Sequence, residues 1–597
     1  MKRSQYLSLG FAVLMLLSGF TALAQVRVTG KVTDETNLPV PGVTVQQANT
    51  QNRAATNQDG VYTITLQAGG SQSLIFTYIG YQSVTLPYTG ANINVNLKPT
   101  SANLNEVVVL GYTSQKKSTI TGAVGTVNMA DAEKRRVPDV AQILQGQVAG
   151  VQVTQSTGAP GDPINIRIRG EGTIGNNSPL FIVDGVPSRD ISFLNTNDIK
   201  SLTVLKDASA AAIYGSRASA GVVVITTNQG VAGKSTLDLN YFNGIQKVTN
   251  LPKMLNASQY LMKSEEAWNN AGYTGTNPYT AEKARTDLSN TDWLNELFDT
   301  GRSQSAQLTT SGGSEKVTYL LSGGFYKQDG IVVYNNDQYR RINFRANVNA
   351  NVTDRFKVGT NLQISNEMQD ALSSRGDAPG IIRHAFLRPP VLGVYKNGSD
   401  PTYTSRNPFT DLPFYKNNNL AAGGWDPNFE RSQNPVALAY FSNDTRNSFR
   451  TFGNAYGEYA LLADKSLKIR TNLGVDLLFR HNKAFLENFG DDDGSANPLD
   501  AGKGRINRPN GLNEERGQQT NFTWNNTLNY DKTFDKHTIS ALVGTEYISN
   551  KSDAISASRR RYDYTSGSFQ YIDFGGTAND LFNVSLLLNQ PLDEEIR

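Results

Sequence analysis

From about residue 235 onward, the sequence consists largely of segments in which apolar and polar residues alternate. In RRINFRANVNA, residues 340–350, one face of an extended chain carries Ile342, Phe344, Ala346 and Val348, and the other carries Arg341, Asn343, Arg345 and Asn347. FKVGTNLQI at 356–364 and LKIRTNLGVDL at 467–477 repeat the arrangement. Because successive side chains point to opposite faces of a strand, each segment predicts a β-strand with one apolar and one strongly polar face.

Strands of this kind suit a transmembrane β-barrel with a wet lumen, and each is expected to have about nine to eleven residues. No stretch of about 18 apolar residues follows the N-terminal region, so the chain is either soluble or crosses a membrane with strands. Short turns near 353–354 and 532–536 alternate with long polar insertions such as 371–434, as in outer-membrane barrels. A large soluble β-sandwich or propeller is the alternative.

The composition excludes several classes of function. The chain has no cysteine, which rules out disulfides and thiolate metal sites, and its three histidines, His384, His481 and His537, lie far apart without metal-ligand spacing. A net charge of +3 over 597 residues provides no basic stripe for nucleic acid. We find no nucleophile–base set or compelling pair of carboxylates, so an exported enzyme is disfavoured.

The N-terminus reads as a secretory signal peptide over residues 1–24. Lys2 and Arg3 form a positive n-region, the apolar segment 7–20 follows, and Ala22-Leu23-Ala24 supplies a small-x-small cleavage site. We therefore expect export with cleavage after Ala24. A transmembrane anchor is the alternative, but the apolar run is too short to span a bilayer comfortably.

Residues 25–99 contain short runs with a period of two, separated by turn signals such as Pro41-Gly42 and Asn57-Gln58-Asp59-Gly60. The pattern predicts a small β-sandwich with a core of Val43, Val45, Tyr62, Ile64, Leu66, Ile75 and Phe76. The segment resembles the carboxypeptidase-regulatory-like domain, which implies a seven-stranded transthyretin-like fold. Since it carries no zinc ligands, we interpret it as an accessory binding or packing module.

Residues 100–117 form a separate segment that contains NLNEVVVLGY. The apolar run Val107–Leu110 makes it β-prone, so it could add a strand to the exposed edge of a partner's sheet. An ordinary strand of the next domain is an equally good interpretation of this stretch alone.

Residues 118–230 have a mixed α/β pattern. A strand over INIRIR runs into GEGTIG at 170–175, which fits the G-x-G-x-x-G pattern of dinucleotide sites. That pattern must open a helix, yet Pro179 and a second strand-like run, Leu180–Val183, follow instead. We therefore expect no nucleotide and no other cofactor. A helix is predicted upstream, with Val140, Ile143, Leu144 and Val148 on one face and its end at Gly150.

The order of these segments resembles the SusC family (SusC/RagA-like) of TonB-dependent transporters of the Bacteroidota outer membrane. LNEVVVLGY corresponds to the family's TonB-box region, with Leu110 where valine is common and Thr113 where glycine is common. IRIRGEGTI…PLFIVDGVP and LKDASAAAIYGSRASAGVVVITT resemble the signatures of the plug domain. The resemblance implies a mainly β protein: signal peptide, β-sandwich, α/β plug domain over 118–230, and a transmembrane antiparallel β-barrel from residue 231.

The resemblance also implies how the parts work. A barrel of about 22 strands is filled by the plug. A periplasmic TonB protein pairs with Glu106, Val107, Val108, Val109, Leu110 and Gly111, and its pull partly unfolds or displaces the plug. A SusD-like surface lipoprotein captures the ligand, mostly an oligosaccharide and less often a peptide. Gly170, Gly172 and Gly175 are expected to allow tight turns where plug strands pass close to the barrel wall, and Gly185 and Gly215 are expected to be structural glycines of the plug as well.

Three further expectations concern the rest of the chain. Residues 231–597 hold about ten to twelve strand-like segments, roughly half a barrel, so we expect the N-terminal portion of a transporter, which would not transport as it stands. A ligand-sensing signalling receptor is the alternative function. Asp491, Asp492 and Asp493 form a weak candidate for Ca²⁺, since they lack the spacing of an EF-hand.

Overall fold

The computed structural model divides the chain into two compact units, Met1–Val108 with Gln115–Thr119, and Val109–Ser114 with Ile120–Arg597. It describes residues 26–35, 37–66, 73–78, 81–87, 90, 92–98, 107–110, 113–116, 122–135, 137–155, 157–286, 288–372, 380–399, 403, 408–410, 433–487, 510–535, 537–560, 562, 583–588 and 592–596. The proposed signal peptide and the aspartates at 491–493 lie outside these residues.

The first unit is a β-sandwich of two sheets. Its strands are β1 Arg27–Thr33, β2 Thr44–Gln47, β3 Arg53–Ala55, β4 Val61–Thr65, β5 Ser73–Thr77, β6 Val84–Pro87 and β7 Val95–Asn96. The order is β4-β1-β7 in one sheet and β3-β2-β5-β6 in the other, which confirms the predicted seven-stranded fold. Of the predicted core, all residues are buried except Ile75, because Leu74 and Phe76 are the residues of β5 that face inward.

The segment after the sandwich contains two short strands, β8 Val107–Leu110 and β9 Thr113–Lys116, which form a two-stranded sheet. The extended conformation predicted for Val107–Leu110 is present.

The second unit begins with the plug. Its strands are β10 Val124–Thr126, β11 Val151–Gln155, β12 Ile164–Ile168, β13 Leu180–Val183, β14 Val186–Ser188, β15 Ile199–Leu205 and β16 Val222–Thr227; its helices are α1 Met129–Ala132, α2 Val140–Ile143 and α3 Ala208–Ala211. Five strands form a sheet in the order β10-β15-β16-β13-β14, and β11 pairs with β12. Strand β13 is buried along its whole length.

The helix predicted to extend to Gly150 is shorter than expected. Asp139 caps the N-terminus of α2 by accepting from the Ala141 amide, and the helix ends at Ile143. Gly146 and Gly150 both have a positive φ, 70° and 78°, which interrupts the helical path before β11 begins.

The rest of the unit is one antiparallel sheet. Its strands are β17 Gly233–Gln246, β18 Gly301–Gly313, β19 Val317–Asp329, β20 Gln338–Asn351, β21 Phe356–Asp370, β22 Asp444–Ala460, β23 Leu467–Leu486, β24 Gly511–Phe534, β25 His537–Arg560, β26 Asn583–Leu588 and β27 Leu592–Ile596. Sequential neighbours pair from β17 to β26, and β27 also pairs with β25, which gives an 11-stranded sheet. The predicted antiparallel barrel-type sheet is thereby confirmed.

Strands β17 to β25 are longer than the predicted nine to eleven residues. They have 13 residues in β18 and 24 residues in β24 and β25. At about 3.4 Å per residue a 24-residue strand spans about 80 Å, well beyond a hydrocarbon layer of about 30 Å. The excess follows from hairpin pairing: β24 and β25 pair in continuous register from Gly511–Arg560 to Phe534–His537.

Short and long connections lie at opposite ends of the sheet, as predicted. The turns at 352–355 and 461–466 join strands at one end, where Phe534 of β24 also pairs with His537 of β25. At the other end, which we call the outer end, the connections contain α4 Ala257–Asn270, α5 Pro278–Lys283, α6 Trp293–Leu297, α7 Ile381–Leu387 and α8 Pro435–Tyr440. Helices α6, α7 and α8 share one apolar core that includes Trp293, Ala385 and Val436. None of the helices in the described part of the chain has the length and apolarity needed to span a bilayer.

Candidate functional site

The polar face of the large sheet packs against the plug, whereas the apolar face is exposed. In β20, Arg345 and Asn347 are 1 % exposed, while Ile342 and Phe344 are 51 % and 46 % exposed. This alternation reverses the usual rule that apolar side chains are inside. It confirms the predicted two faces and provides an apolar surface of the kind that faces lipid in outer-membrane barrels.

Arg345 joins β20 to the buried end of the plug sheet. Its guanidinium donates to the Thr227 hydroxyl and to the Asn228 carbonyl oxygen, and the Nη2–O distance to the latter is 2.5 Å. Thr227 in turn donates to Asp184 through its amide at 2.9 Å and its hydroxyl at 2.5 Å. Burial raises the pKa of Asp184, and the bonds from Thr227 and the charge of Arg345 act against that rise.

Asp198 forms a second buried contact between plug and wall. Its Oδ1 accepts from Gln307 of β18 at 2.7 Å and from Ser322 of β19 at 3.0 Å. Burial raises the pKa of Asp198, and the nearby Arg345 charge opposes the rise. Since one carboxylate accepts from two wall strands, it fixes the start of β15 against the wall.

Arg450 of β22 forms the third contact. Its guanidinium makes two bonds to Asp476 of the neighbouring strand, at 2.7 and 2.8 Å, and reaches Asp190 and Ser188 of the plug at 2.9 Å each. The same guanidinium lies 4.1 Å from the centroid of the Phe193 ring. Arg450 and Asp476 are both buried, so this charge-assisted pair is shielded from water, whereas Asp190 is half exposed.

Crowding by the wall does not explain the glycines of the plug signatures. A Cβ added at Gly170, Gly172 or Gly185 would meet no atom within 4 Å, and at Gly175 only the Thr173 hydroxyl at 3.6 Å. The predicted turn conformation is present at two of them. Gly170 has a φ of +90°, and Gly185, with a φ of +87°, completes the two-residue Asp184-Gly185 hairpin between β13 and β14. Gly215 has a non-helical backbone, with φ 65° and ψ −153°, inside the short helical segment Ala212–Ala218.

Close approach to the wall occurs at other glycines. A Cβ on Gly161 of the plug would lie 2.4 Å from the Tyr339 ring, and a Cβ on Gly474 of β23 would lie 2.8 Å from the side chain of Val186. At both positions the glycine allows the plug and the wall to approach more closely than a Cβ would permit. Their spacing in the sequence carries no motif, so the sequence provided no signal for them.

The GEGTIG loop is closed upon itself. The amides of Gly172 and Thr173 both donate to the Asn177 side chain, at 3.0 and 3.1 Å, and the loop continues into β13. The predicted strand–loop–strand arrangement is present, and these two amides already have an acceptor.

A cavity of about 700 Å³ lies between the plug and the wall near the outer end of the sheet. Its lining from the plug includes Asp139, Asp162, Arg189 and Asp190, and its lining from the wall includes Gln246, Gln328, Tyr339, Arg341 and Arg480. Arg341 is buried and donates to the carbonyl oxygens of Ser192 and Pro138. The volume and the polar lining suit a small polar ligand.

The TonB-pairing residues and the calcium candidate are only partly described. Val107–Leu110 form β8, whereas Glu106 and Gly111, like Asp491–Asp493, lie outside the described residues. Within the described part of the chain, no three His, Asp or Glu side chains are grouped closely enough to hold a metal ion.

The alternation in β20 predicted that Arg341 and Arg345 lie on the polar face. It identified neither Arg450 of β22 nor the plug residues Asp184, Asp190 and Asp198 as members of the contacts between plug and wall. An arginine at an inward-facing position of a strand is the only signal that the sequence offered. The plug partners lie in loops and at strand ends, and their distances of 109 to 262 positions from the wall residues hide the pairing.

Two family descriptions match the chain: TonB-dependent Receptor Plug Domain over residues 116–222, and CarboxypepD_reg-like domain over residues 28–109. TonB-dependent receptor P3 of Formosa agariphila is 31 % identical over 96 % of this chain and 52 % of that protein. TonB-dependent receptor SusC of Bacteroides thetaiotaomicron is 31 % identical over 77 % of this chain and 46 % of that protein. The chain thus spans about half the length of the curated relatives it matches.

Among solved structures, the RagAB peptide importer in the open-open state has a TM-score of 0.62 and 25 % identity, covering 81 % of this chain and 53 % of that chain. TonB-dependent receptors are outer-membrane β-barrels and are not enzymes. Over most of its length the chain is therefore similar, at about 31 % identity, to SusC-like TonB-dependent receptors, and it carries a TonB-dependent receptor plug domain and a CarboxypepD_reg-like domain.

Proposed function

We propose that this protein acts in the active import of a nutrient across the outer membrane, energised by TonB from the periplasm. The observation that carries the proposal is the plug held by buried arginines against the polar face of a sheet whose other face is apolar and exposed. With lipid outside and a filled lumen inside, passage of a solute requires work on the plug.

We propose that TonB supplies this work through Glu106–Gly111. The four central residues already form a short strand, and an extended segment offers main-chain hydrogen bonds to an added strand with little need for specific side chains. Force applied here enters the plug at its N-terminal end, where β10 is the first strand.

Strand β10 is the element that we expect to yield. It lies at the edge of the five-stranded sheet and pairs with β15 through three residue pairs, whereas β15 pairs with β16 through six. The contacts of Arg345, Arg450 and Gln363 hold later parts of the plug, at residues 188–228, to the wall. We propose that pulling separates β10 first and leaves the remaining plug bound.

The ligand and the other partner follow from the family resemblance. We propose an oligosaccharide as the ligand, with a peptide as the alternative, since a structural relative at 25 % identity is named a peptide importer. A SusD-like surface lipoprotein would capture it at the outer end, and the complete barrel would have about 22 strands.

The experiment compares uptake of a labelled oligosaccharide by cells that produce the full-length protein, the Val108→Pro variant or the Val108→Thr control. Proline removes a main-chain donor from the strand that TonB must pair with, whereas threonine keeps the donor and the β-propensity. We expect uptake to be lost in Val108→Pro and in cells without TonB, and kept in Val108→Thr. Equal uptake in all of these cells would refute the proposal.

A further inference from the structure

Two arginines that have no partner of opposite charge among the described residues line the cavity at the outer end of the sheet. We infer that this cavity binds an anionic group of the ligand, a carboxylate or a sulfate, through Arg189 and Arg480. The inference rests on the proposed import function and adds to it the chemical class of the substrate.

The two side chains reach the cavity from opposite walls. Arg480 belongs to β23, where Asp476 and Leu478 are buried and Phe479 is 44 % exposed, so residue 480 continues the inward-facing row. Arg189 follows β14 in the plug. Both are exposed and both line the same cavity of about 700 Å³.

The carboxylates of the cavity are already engaged. Asp190 accepts from Arg450 at 2.9 Å and from the amide and hydroxyl of Ser192 at 3.0 and 2.8 Å. Asp162 accepts from Gln369 at 3.0 Å and from Thr157. Asp139 caps α2, and its Oδ1 accepts a hydrogen bond from the Ala141 amide at 2.7 Å. None of the three is paired with Arg189 or Arg480.

Arg341 adds a buried donor to the same cavity but no free charge. Its Nη1 and Nη2 donate to carbonyl oxygens of the plug, while Nε is buried and has no partner among the described residues. Glu367 lies opposite Arg341 in the register of β20 and β21 and balances its charge. The lining carries three aspartates and three arginines, and among these charged side chains Arg189 and Arg480 are the two without a hydrogen-bond partner among the described residues.

A planar guanidinium matches the two oxygens of a carboxylate or a sulfate, and such charge-assisted bonds are about twice as strong as neutral ones. A neutral sugar or an uncharged peptide segment would leave both guanidinium groups without a counter-charge once water is excluded. A glycan that carries uronate or sulfate groups fits the cavity best, since it combines these anions with hydroxyls for Gln246, Gln328 and Tyr339.

The test measures equilibrium binding to the purified full-length protein in detergent. The probes are tetragalacturonate, a sulfated maltotetraose and plain maltotetraose, and the variants are Arg189→Gln, Arg480→Gln and the double variant. Arg355→Gln is the matched control, because Arg355 is an exposed arginine in the short turn at the opposite end of the sheet.

We expect at least one anionic tetramer to bind more tightly than maltotetraose, and each single variant to weaken that binding about tenfold. The double variant loses more, Arg355→Gln loses nothing, and the better of the two anionic probes identifies the carboxylate or the sulfate as the source. Preference for maltotetraose, or unchanged anionic binding in the double variant, would overturn the inference. If the inference is overturned in this way, TonB-dependent uptake of a neutral oligosaccharide would still support the proposed import function. Absence of any TonB-dependent uptake would contradict the import function and would not bear on the binding result.

Discussion

At the scale of single residues, the inward-facing arginines of the sheet decide how the plug is held. Arg345 is 1 % exposed and donates to plug groups beside two buried carboxylates, Asp184 and Asp198. Its charge offsets the cost of burying those carboxylates, which otherwise raises their pKa. A buried cation of this kind matters mainly because its removal leaves its partners uncompensated.

We predict that Arg345→Met loosens the plug from the wall by about 1–3 kcal/mol, the range expected when buried acceptors, here the Thr227 hydroxyl and the Asn228 carbonyl oxygen, lose their donor. Hydrogen exchange of residues 222–228, measured by mass spectrometry on the purified protein, should accelerate strongly. Arg355→Met, at an exposed turn, should change nothing measurable. Equal protection in the two variants would show that Arg345 is not a holding contact.

His384 predicts a pH response of the outer connections. It is buried in α7, its Nδ1 accepts from the Gln433 amide at 2.9 Å, and burial together with Arg388 and Arg383 lowers its pKa to about 4. An unfolded histidine has a pKa of about 6.5, so the unfolded chain takes up a proton first as the pH falls. Stability from neutral His384 is therefore complete above about pH 6.5 and is lost toward pH 4.

The measurement is hydrogen exchange of residues 381–387 between pH 7 and pH 4, corrected for intrinsic rates. Exchange in this helix should rise as the pH falls, and His384→Asn, which keeps an acceptor but does not titrate, should remove most of the dependence. A pH profile that is the same in both proteins would contradict the role of His384.

At the scale of elements, the sequence predicted what local periodicity determines and missed what distant contacts determine. The two faces of β20 and β23 follow from a strict period of two, which survives because lipid-facing and plug-facing positions demand opposite polarity. The identity of the plug partner of each polar residue depends on the tertiary fold. The inward face of β5 was also mistaken, with Ile75 predicted in place of Leu74. Because apolar residues lie on both faces of this strand, its sequence does not show which face is inward.

The predictions of strand length and of the end of helix α2 were wrong for a related reason. The 24-residue strands are set by pairing in long hairpins, not by the thickness of a bilayer. Helix α2 ends early because glycines 146 and 150 adopt positive φ, a choice that propensity alone does not fix.

The edge position of β10 predicts a gradient of stability within the plug sheet. Its three residue pairs with β15 should open more readily than the central pairing of β15 and β16. Amide exchange should therefore be fastest at 124–126 and slowest at 222–227. Equal or inverted protection would argue against β10 as the first element to separate.

At the scale of the whole molecule, an 11-stranded sheet holds a plug by buried polar contacts while its outer face is apolar. The proposed import requires that this closed arrangement open under force without releasing the proposed ligand cavity, whose lining comes from the plug and from the wall. An opening limited to β10 would meet both requirements. We therefore propose that the body of the plug stays on the wall during transport.

The absence of cysteine in the chain makes a direct test of this claim possible. A Cβ on Gly474 would lie 3.4 Å from the Val186 Cβ, and a Cβ on Gly125 would lie 3.6 Å from the Val148 Cβ, both close to the separation in a disulfide of about 3.5–4.5 Å. The pair Val186→Cys with Gly474→Cys ties the plug body to the wall. The pair Gly125→Cys with Val148→Cys ties β10 to the loop that follows α2.

The measurement is TonB-dependent uptake by cells that carry each cysteine pair, with and without a reducing agent. We expect the oxidised Gly125–Val148 tether to block uptake until it is reduced, whereas the oxidised Val186–Gly474 tether should leave uptake intact. Blocked uptake with the Val186–Gly474 tether, together with normal uptake under the Gly125–Val148 tether, would show instead that the plug moves as a body.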